Sequence, residues 1–234
     1  VSAALNILQQ GGSFIDAGIA ASAVLAVVEP GSSHLGGDAF LMVHNGRTKE
    51  NIAYNGSGES PHSATPNAYR EAIPVHGYMA TTVPGVVSTW FGAHKSYGTL
   101  PIAQLLETAI DYADNGFPAN LGFATRVQNF MTQNPASNLF QTMGISTDVK
   151  VGDIVFQKDL AQSLRLIATQ GRDAFYKGGI AEKIISATDG WFDAADLSNH
   201  RTRVQVPLSP NSRDLTIHVT TSPRHGKTCP DEPP

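Results

Sequence analysis

The run from Phe14 to Val28 constrains this chain more than any other segment. It is apolar on nearly every side and carries one charge, Asp16. A helix with that pattern has no polar face to offer water, so it must be packed into a core. It falls short of the roughly 20 apolar residues needed to cross a bilayer, and no other stretch comes closer, so no membrane span is expected. Ser13 just before it, with Asp16 three residues on, reads as a shortened capping box, and Glu29-Pro30-Gly31 ends it. The 234 residues leave room for one large domain or a domain and a half. An apolar fraction of 41% supports a core and argues against disorder. The charged fraction of 15% lies under the roughly 25% of ordinary soluble domains, which suggests that a partner chain covers part of the surface. A net charge of −4 excludes nucleic-acid binding driven by bulk charge. The single cysteine, Cys229, excludes an internal disulfide framework and a cysteine-rich zinc site.

Periodicity and breakers place the other elements. Ser2 to Gln9 reads as a helix stopped by Gly11-Gly12. Ala39 to Val43 has strand character, Asn45-Gly46 reads as a hairpin turn, and Ile52 to Tyr54 as the return strand. Asn55-Gly56-Ser57-Gly58 follows as a close-approach loop. A second short stretch, Tyr78 to Val83, runs through Pro84-Gly85 into a helix over Val86 to Tyr97. Pro101 opens the clearest helix, whose apolar residues from Ile102 to Ala113 recur at i, i+3, i+4, i+7 and i+8 before Asn115-Gly116. Helices are also expected over Lys158 to Thr169 and Gly179 to Thr188, and a short acidic helical turn over Asp193 to Leu197. Val204 to Val206 and Leu215 to Val219 alternate like strands, and 227–234 reads as an unstructured tail. The class is mixed, α+β. The opening at Val1, inside a helix and without a basic leader or signal peptide, suggests a chain cut from something longer.

The residues alone complete no catalytic constellation. Gly36-Gly37-Asp38 lacks the phosphate-loop patterns and precedes a strand, so its glycines read as sites of close backbone packing. Asn55 to Glu59 reads either as a turn or as a substrate-facing loop. The eight histidines form no H-x-x-x-H pair, and each alone reads as a surface or satisfied side chain. Asp193 and Asp196 read as a solvent-facing helix cap rather than a catalytic dyad. No G-x-S-x-G elbow is present, and Cys229 has no convincing histidine partner.

A series of motifs, in order, resembles the γ-glutamyltransferase family. It begins with Ile7 to Ala17, which includes Gly11-Gly12 and Asp16, and continues with Ala26 to Pro30 and Leu35-Gly36-Gly37-Asp38-Ala39-Phe40. Asn55 to Pro61, Ala80 to Gly85, Tyr97 to Pro101, Asn115 to Pro118, Gly171 to Gly178 and Asp196-Leu197 follow. The resemblance runs from about residue 3 to about residue 219. It implies an N-terminal nucleophile hydrolase fold, an α-β-β-α sandwich, of which this chain is the large-subunit part only. It implies a domain over 1–226, incomplete at both ends.

The resemblance also implies a partner, a small subunit whose N-terminal threonine is the nucleophile and whose α-amine is the base. That threonine is absent here. Thr220-Thr221 resembles the cleavage site, but it falls too early, and Ser222 stands where a histidine is expected. The implied substrate is a small γ-glutamyl or acyl amide, with no metal or organic cofactor and no nucleic acid. The implied compartment leans periplasmic or secreted. The substrate-binding slots are Ser57 and Glu59. Members that cleave glutathione place an arginine at the slot of Ser57, and a related branch places one at that of Glu59. Neither slot is basic here, so an acylase of the cephalosporin-acylase kind fits the loop at least as well. A catalytically inactive paralogue serving as a binding scaffold, or a truncated product without a stable fold, are the competing expectations.

Overall fold

The computed structural model describes residues 1–70, 72–213 and 215–221; the expected tail over 227–234, with Cys229, lies outside them. In chain order the elements are α1 (Ser2–Gln9), α2 (Phe14–Val28), β1 (Phe40–His44), β2 (Asn51–Asn55), a 3-10 turn (Tyr78–Ala80), α3 (Val86–Tyr97) and α4 (Ile102–Asn115). β3 (Phe117–Pro118), α5 (Leu121–Gln133), α6 (Leu139–Thr142), β4 (Ile154–Val155), α7 (Lys158–Gln170) and α8 (Arg172–Tyr176) follow. The last are α9 (Gly179–Ala187), α10 (Ala194–Asn199), β5 (Arg203–Gln205), β6 (Asn211–Ser212) and β7 (Leu215–Thr216). No described helix is long and apolar enough to cross a membrane. The chain divides into two compact units, Val1–His34 with His94–Ala174, and Leu35–Ala93 with the residues from Phe175 onward.

The first unit is helical and is organised by α2. Ile15, Ala17, Ile19, Ala20, Ala23, Ala26 and Val27 are buried, and α1 and α4 pack against the helix, with α7 behind α4. The expectation of burial all round needs correction: Phe14, Gly18 and Leu25 are exposed on one narrow face. Ser13 caps α2 in a reciprocal box with Asp16, as expected. Asp16 does more than cap. Its Oδ2 accepts from the N–H groups of Ser13 (2.8 Å), Thr99 (2.9 Å) and Leu100 (3.2 Å) and from the Thr99 hydroxyl (2.7 Å). The buried carboxylate thereby ties the start of α2 to the turn before α4. Burial opposes its charge, but the bonds from Thr99, Ser13 and Leu100 win and lower its pKa from 3.8 to about 2. Pro101 is the residue before α4 rather than its first turn, and Gly116 ends the helix at a φ of +91°. Helix α5, which the pattern reading passed over, is capped by the Asn120 side chain and buries only Phe123, Ala124 and Val127.

The second unit holds an antiparallel sheet in the order β1-β2-β5. Phe40 pairs with Asn55 and His44 with Asn51, while Asn55 also faces Arg203 on β5. The hairpin turn is wider than an Asn-Gly dipeptide. Asn45 accepts the Arg47 N–H on its side chain and the Lys49 N–H on its carbonyl, and Lys49 takes a positive φ. The strand expected over Leu215 to Val219 is shorter, with β7 ending at Thr216 and a single bridge from Val219 to Leu208. The first N–H groups of α3 find partners without a side-chain cap. The Gly37 carbonyl accepts from Gly85 and Val86 (2.9 and 3.0 Å), and the buried Tyr176 hydroxyl accepts from Ser88 (3.0 Å). That hydroxyl in turn donates to the Pro84 carbonyl at 2.7 Å.

Candidate functional site

The loop after β2 is held open by hydrogen bonds to its own backbone. Asn55, fully buried, accepts the Ser57 N–H on its side chain (3.0 Å) and donates to the Thr221 carbonyl (3.3 Å). Asp38 accepts the Gly58 N–H on Oδ1 (3.1 Å), and the Ser57 hydroxyl lies 3.5 Å from its Oδ2. The Glu59 carbonyl accepts from Val83 N–H at 3.0 Å. A side chain is barred at Gly56, where a Cβ would stand 1.9 Å from the Thr89 hydroxyl, and at two further positions where backbone runs close to backbone. A Cβ on Gly58 would stand 1.7 Å from the Val83 carbonyl oxygen, and one on Gly85 would stand 1.6 Å from that of Gly56. The close backbone packing thus falls at Gly58 and Gly85, while Gly36-Gly37-Asp38 supports the loop and the start of α3 through the Gly37 carbonyl and the Asp38 carboxylate.

An open cleft of about 520 Å³ lies along this loop, lined by Gly36, Gly37, Asp38, Ser57, Gly58, Ser60 and Ala80 to Thr82. Hydroxyls and one carboxylate line it, with no basic side chain among them. Ser57 is half-buried there. Glu59 is exposed, and its carboxylate is paired with the guanidinium of Arg203. The sequence reading missed Arg203, because only the β2–β5 register brings a residue 144 positions away to the loop. Arg47 lies in the β1–β2 turn and Arg70 is exposed beyond the loop.

A smaller cavity of about 140 Å³ lies beside the loop, lined by Glu59, Ser60, His62, Val83, Ala195, Asp196, Asn199 and His200. Here the reading of the acidic pair is half right. Asp193 caps α10 in a reciprocal box with Asp196. Asp196, however, does not face solvent: its side chain is 4% exposed, and its Oδ1 accepts the His62 N–H and faces the exposed His62 imidazole, which covers it. The Asp196 N–H bonded to the Asp193 carboxylate holds the latter below the usual carboxylate range. His62 bridges to both acids, and His200 is buried with its ring stacked on Tyr176 at 5.6 Å. Thr221 donates its hydroxyl to Gln205, and its nitrogen is a peptide amide, whose lone pair is delocalised into the carbonyl and does not act as a base.

The profile of a family described as Gamma-glutamyltranspeptidase matches residues 1–229. The chain is 37% identical over 223 residues to the glutathione hydrolase-like YwrD proenzyme of Bacillus subtilis (strain 168), covering 91% of the chain and 42% of that protein. It is similar to the crystal structure of Helicobacter pylori gamma-glutamyltranspeptidase, with a TM-score of 0.88 and 28% identity, over 96% of the chain and 68% of that structure. It is also similar to the cephalosporin acylase of Bacillus halodurans, with a TM-score of 0.83 and 32% identity, over 91% of the chain and 42% of that structure. The chain spans about two-fifths of the length of the curated relatives it matches.

Proposed function

The chain belongs to the gamma-glutamyltranspeptidase family, with the α+β fold of the N-terminal nucleophile hydrolases, and from that premise we propose that it is the large-subunit region, over 1–226, of an amide hydrolase or acyl transferase. Its partner is a small subunit that begins with the nucleophilic threonine. That threonine's free α-amine, titrating near pH 8, takes the hydroxyl proton as the oxygen attacks the amide carbonyl. Backbone N–H groups stabilise the oxyanion, and the acyl-enzyme passes its acyl group to water or to an amine. Ser57 and Glu59 contribute the large subunit's part of the acyl-binding site. No metal or organic cofactor enters this chemistry.

The observation that carries the reading is the cleft along residues 55–61, braced by Asp38, Asn55 and Val83. The same cleft favours a neutral acyl group over a γ-glutamyl group. Its lining has no guanidinium to grip an α-carboxylate bidentately, and the nearby Arg203 is already paired with Glu59. A neutral acyl donor is thus the better fit. Intact mass and N-terminal sequencing of the protein from its source test the proposal. A second chain beginning with threonine, together with faster hydrolysis of a neutral acyl anilide than of a γ-glutamyl anilide, is the expected result. A single species without such a chain supports instead an inactive paralogue that binds a partner, and a faster γ-glutamyl reaction overturns the acyl preference.

A further inference from the structure

His62 and Asp196 line the cavity of about 140 Å³, and Asp193 stands beside them, three groups that the proposed acyl chemistry does not use. His62, Asp193 and Asp196 each offer one ligand atom, and the three atoms lie within 4.8 Å of one another. We propose that His62, Asp193 and Asp196 bind a divalent transition-metal ion of the zinc type.

The imidazole and the way the carboxylates are aimed separate this trio from a patch of surface acids. Each aspartate commits one oxygen to the α10 cap. Asp193 Oδ1 accepts the Asp196 N–H at 2.7 Å, and Asp196 Oδ2 accepts the Asp193 N–H at 2.9 Å. The two remaining oxygens converge on His62 Nδ1, Asp196 Oδ1 at 2.7 Å and Asp193 Oδ2 at 3.5 Å. The backbone bonds do what outer partners do at metal sites, holding each ligand in one orientation. A further bond, from the His62 N–H to Asp196 Oδ1 at 3.0 Å, fixes where the histidine stands.

The spacing suits a small ion. Tetrahedral zinc with bonds of about 2.1 Å separates its ligand atoms by about 3.4 Å. The His62–Asp193 edge, at 3.5 Å, is already there, the His62–Asp196 edge, at 2.7 Å, needs to open by about 0.7 Å, and the edge between the two carboxylates lies within 4.8 Å. An imidazole nitrogen beside two carboxylates selects a zinc-like ion over calcium or magnesium, which take oxygen. The two carboxylates balance a double positive charge, one of them from a buried position. In the bound form His62 is neutral, with its proton on Nε2 and its Nδ1 lone pair on the metal. Glu59, Asn199 and His200 also line the cavity. Because His62 directly follows the substrate loop, the ion clamps the end of that loop to the start of α10.

The test is zinc uptake by the full chain after chelator treatment, in competition with a chromogenic chelator, with Cys229→Ser in every sample so that a thiol does not contribute. One equivalent is expected to bind and to raise Tm. His62→Ala should weaken binding by roughly a hundredfold, at the top of the tenfold to hundredfold that the loss of an outer partner costs, and should abolish the Tm rise. Asp193→Asn should weaken it less, and His44→Ala, on β1, should leave it unchanged. Cobalt in place of zinc should give weak visible bands that His62→Ala removes. Equal uptake by His62→Ala and the parent protein overturns the proposal, as does a parent protein that shows neither uptake nor a Tm rise.

Discussion

Arg203 on β5 holds the carboxylate of Glu59, an acid on the loop that follows β2. The sheet sets this pair: Arg203 stands opposite Asn55, the last residue of β2, and so beside the loop's origin. Both side chains are about half exposed or more, so the pair adds little to stability, of the order of 0–1 kcal/mol. Its consequence is the charge near the acyl cleft. Replacing Glu59 by Gln removes an anion and leaves the guanidinium for another acid. In the processed enzyme, Glu59→Gln should raise kcat/KM for a γ-glutamyl anilide relative to a neutral acyl anilide by about three- to tenfold, and Glu59→Gln with Arg203→Gln should reverse the gain. An unchanged ratio in the single variant would separate the pair from acyl selection.

Asp16 predicts a specific acid sensitivity. Its folded-state pKa of about 2 lies below the ordinary 3.8, so the unfolded chain binds the proton first as pH falls. The stabilisation is complete above pH 4 and drains away between 3.8 and 2, about 2 kcal/mol in all. Urea midpoints for the parent and for Asp16→Asn should therefore differ most near neutrality and converge towards pH 2. A gap that is constant with pH would place the effect in shape rather than charge.

Two glycines should respond in opposite ways to alanine. Gly58→Ala drives a methyl group into the Val83 carbonyl, backbone against backbone, and should cost about 3 kcal/mol or more with loss of the loop's geometry. Gly18 is exposed in the middle of α2, and a methyl group there would meet nothing within 4 Å, so Gly18→Ala should gain about 0.5–1 kcal/mol. Thermal melts of the two variants read both signs.

Tyr176→Phe should destabilise by about 1–3 kcal/mol, since it strands the Ser88 N–H at the start of α3 and the Pro84 carbonyl, both in the interior. Hydrogen exchange at the first turn of α3 should quicken in this variant ahead of the rest of the helix. Equal exchange throughout would mean that another group takes over the bond.

Local chemistry was legible wherever neighbours in sequence are neighbours in space. The Ser13–Asp16 box, the α4 stripe and the stop at Gly116 all follow from residues within one or two turns of each other. Even α5 had a readable signal in the Asn120 cap, although its few apolar residues make a weak stripe. The hairpin misled because Asn45-Gly46 satisfies a two-residue turn on paper. The first strand instead stops at His44 and the second starts only at Asn51, and Asn45 spends its side chain on the longer loop between them.

The amino-acid sequence by itself determined most of the helices, the family and the loop over residues 55–61, because caps, periodicities and motif order are properties of short separations. Tertiary structure decided the charges at the site. That Arg203 answers Glu59, that Asp196 is buried against His62, and that Asp16 receives bonds from Thr99 and Leu100 are outcomes of strand register and packing. The energy of an ionised group depends on what stands within a few ångströms of it, and no pattern along the chain encodes that distance.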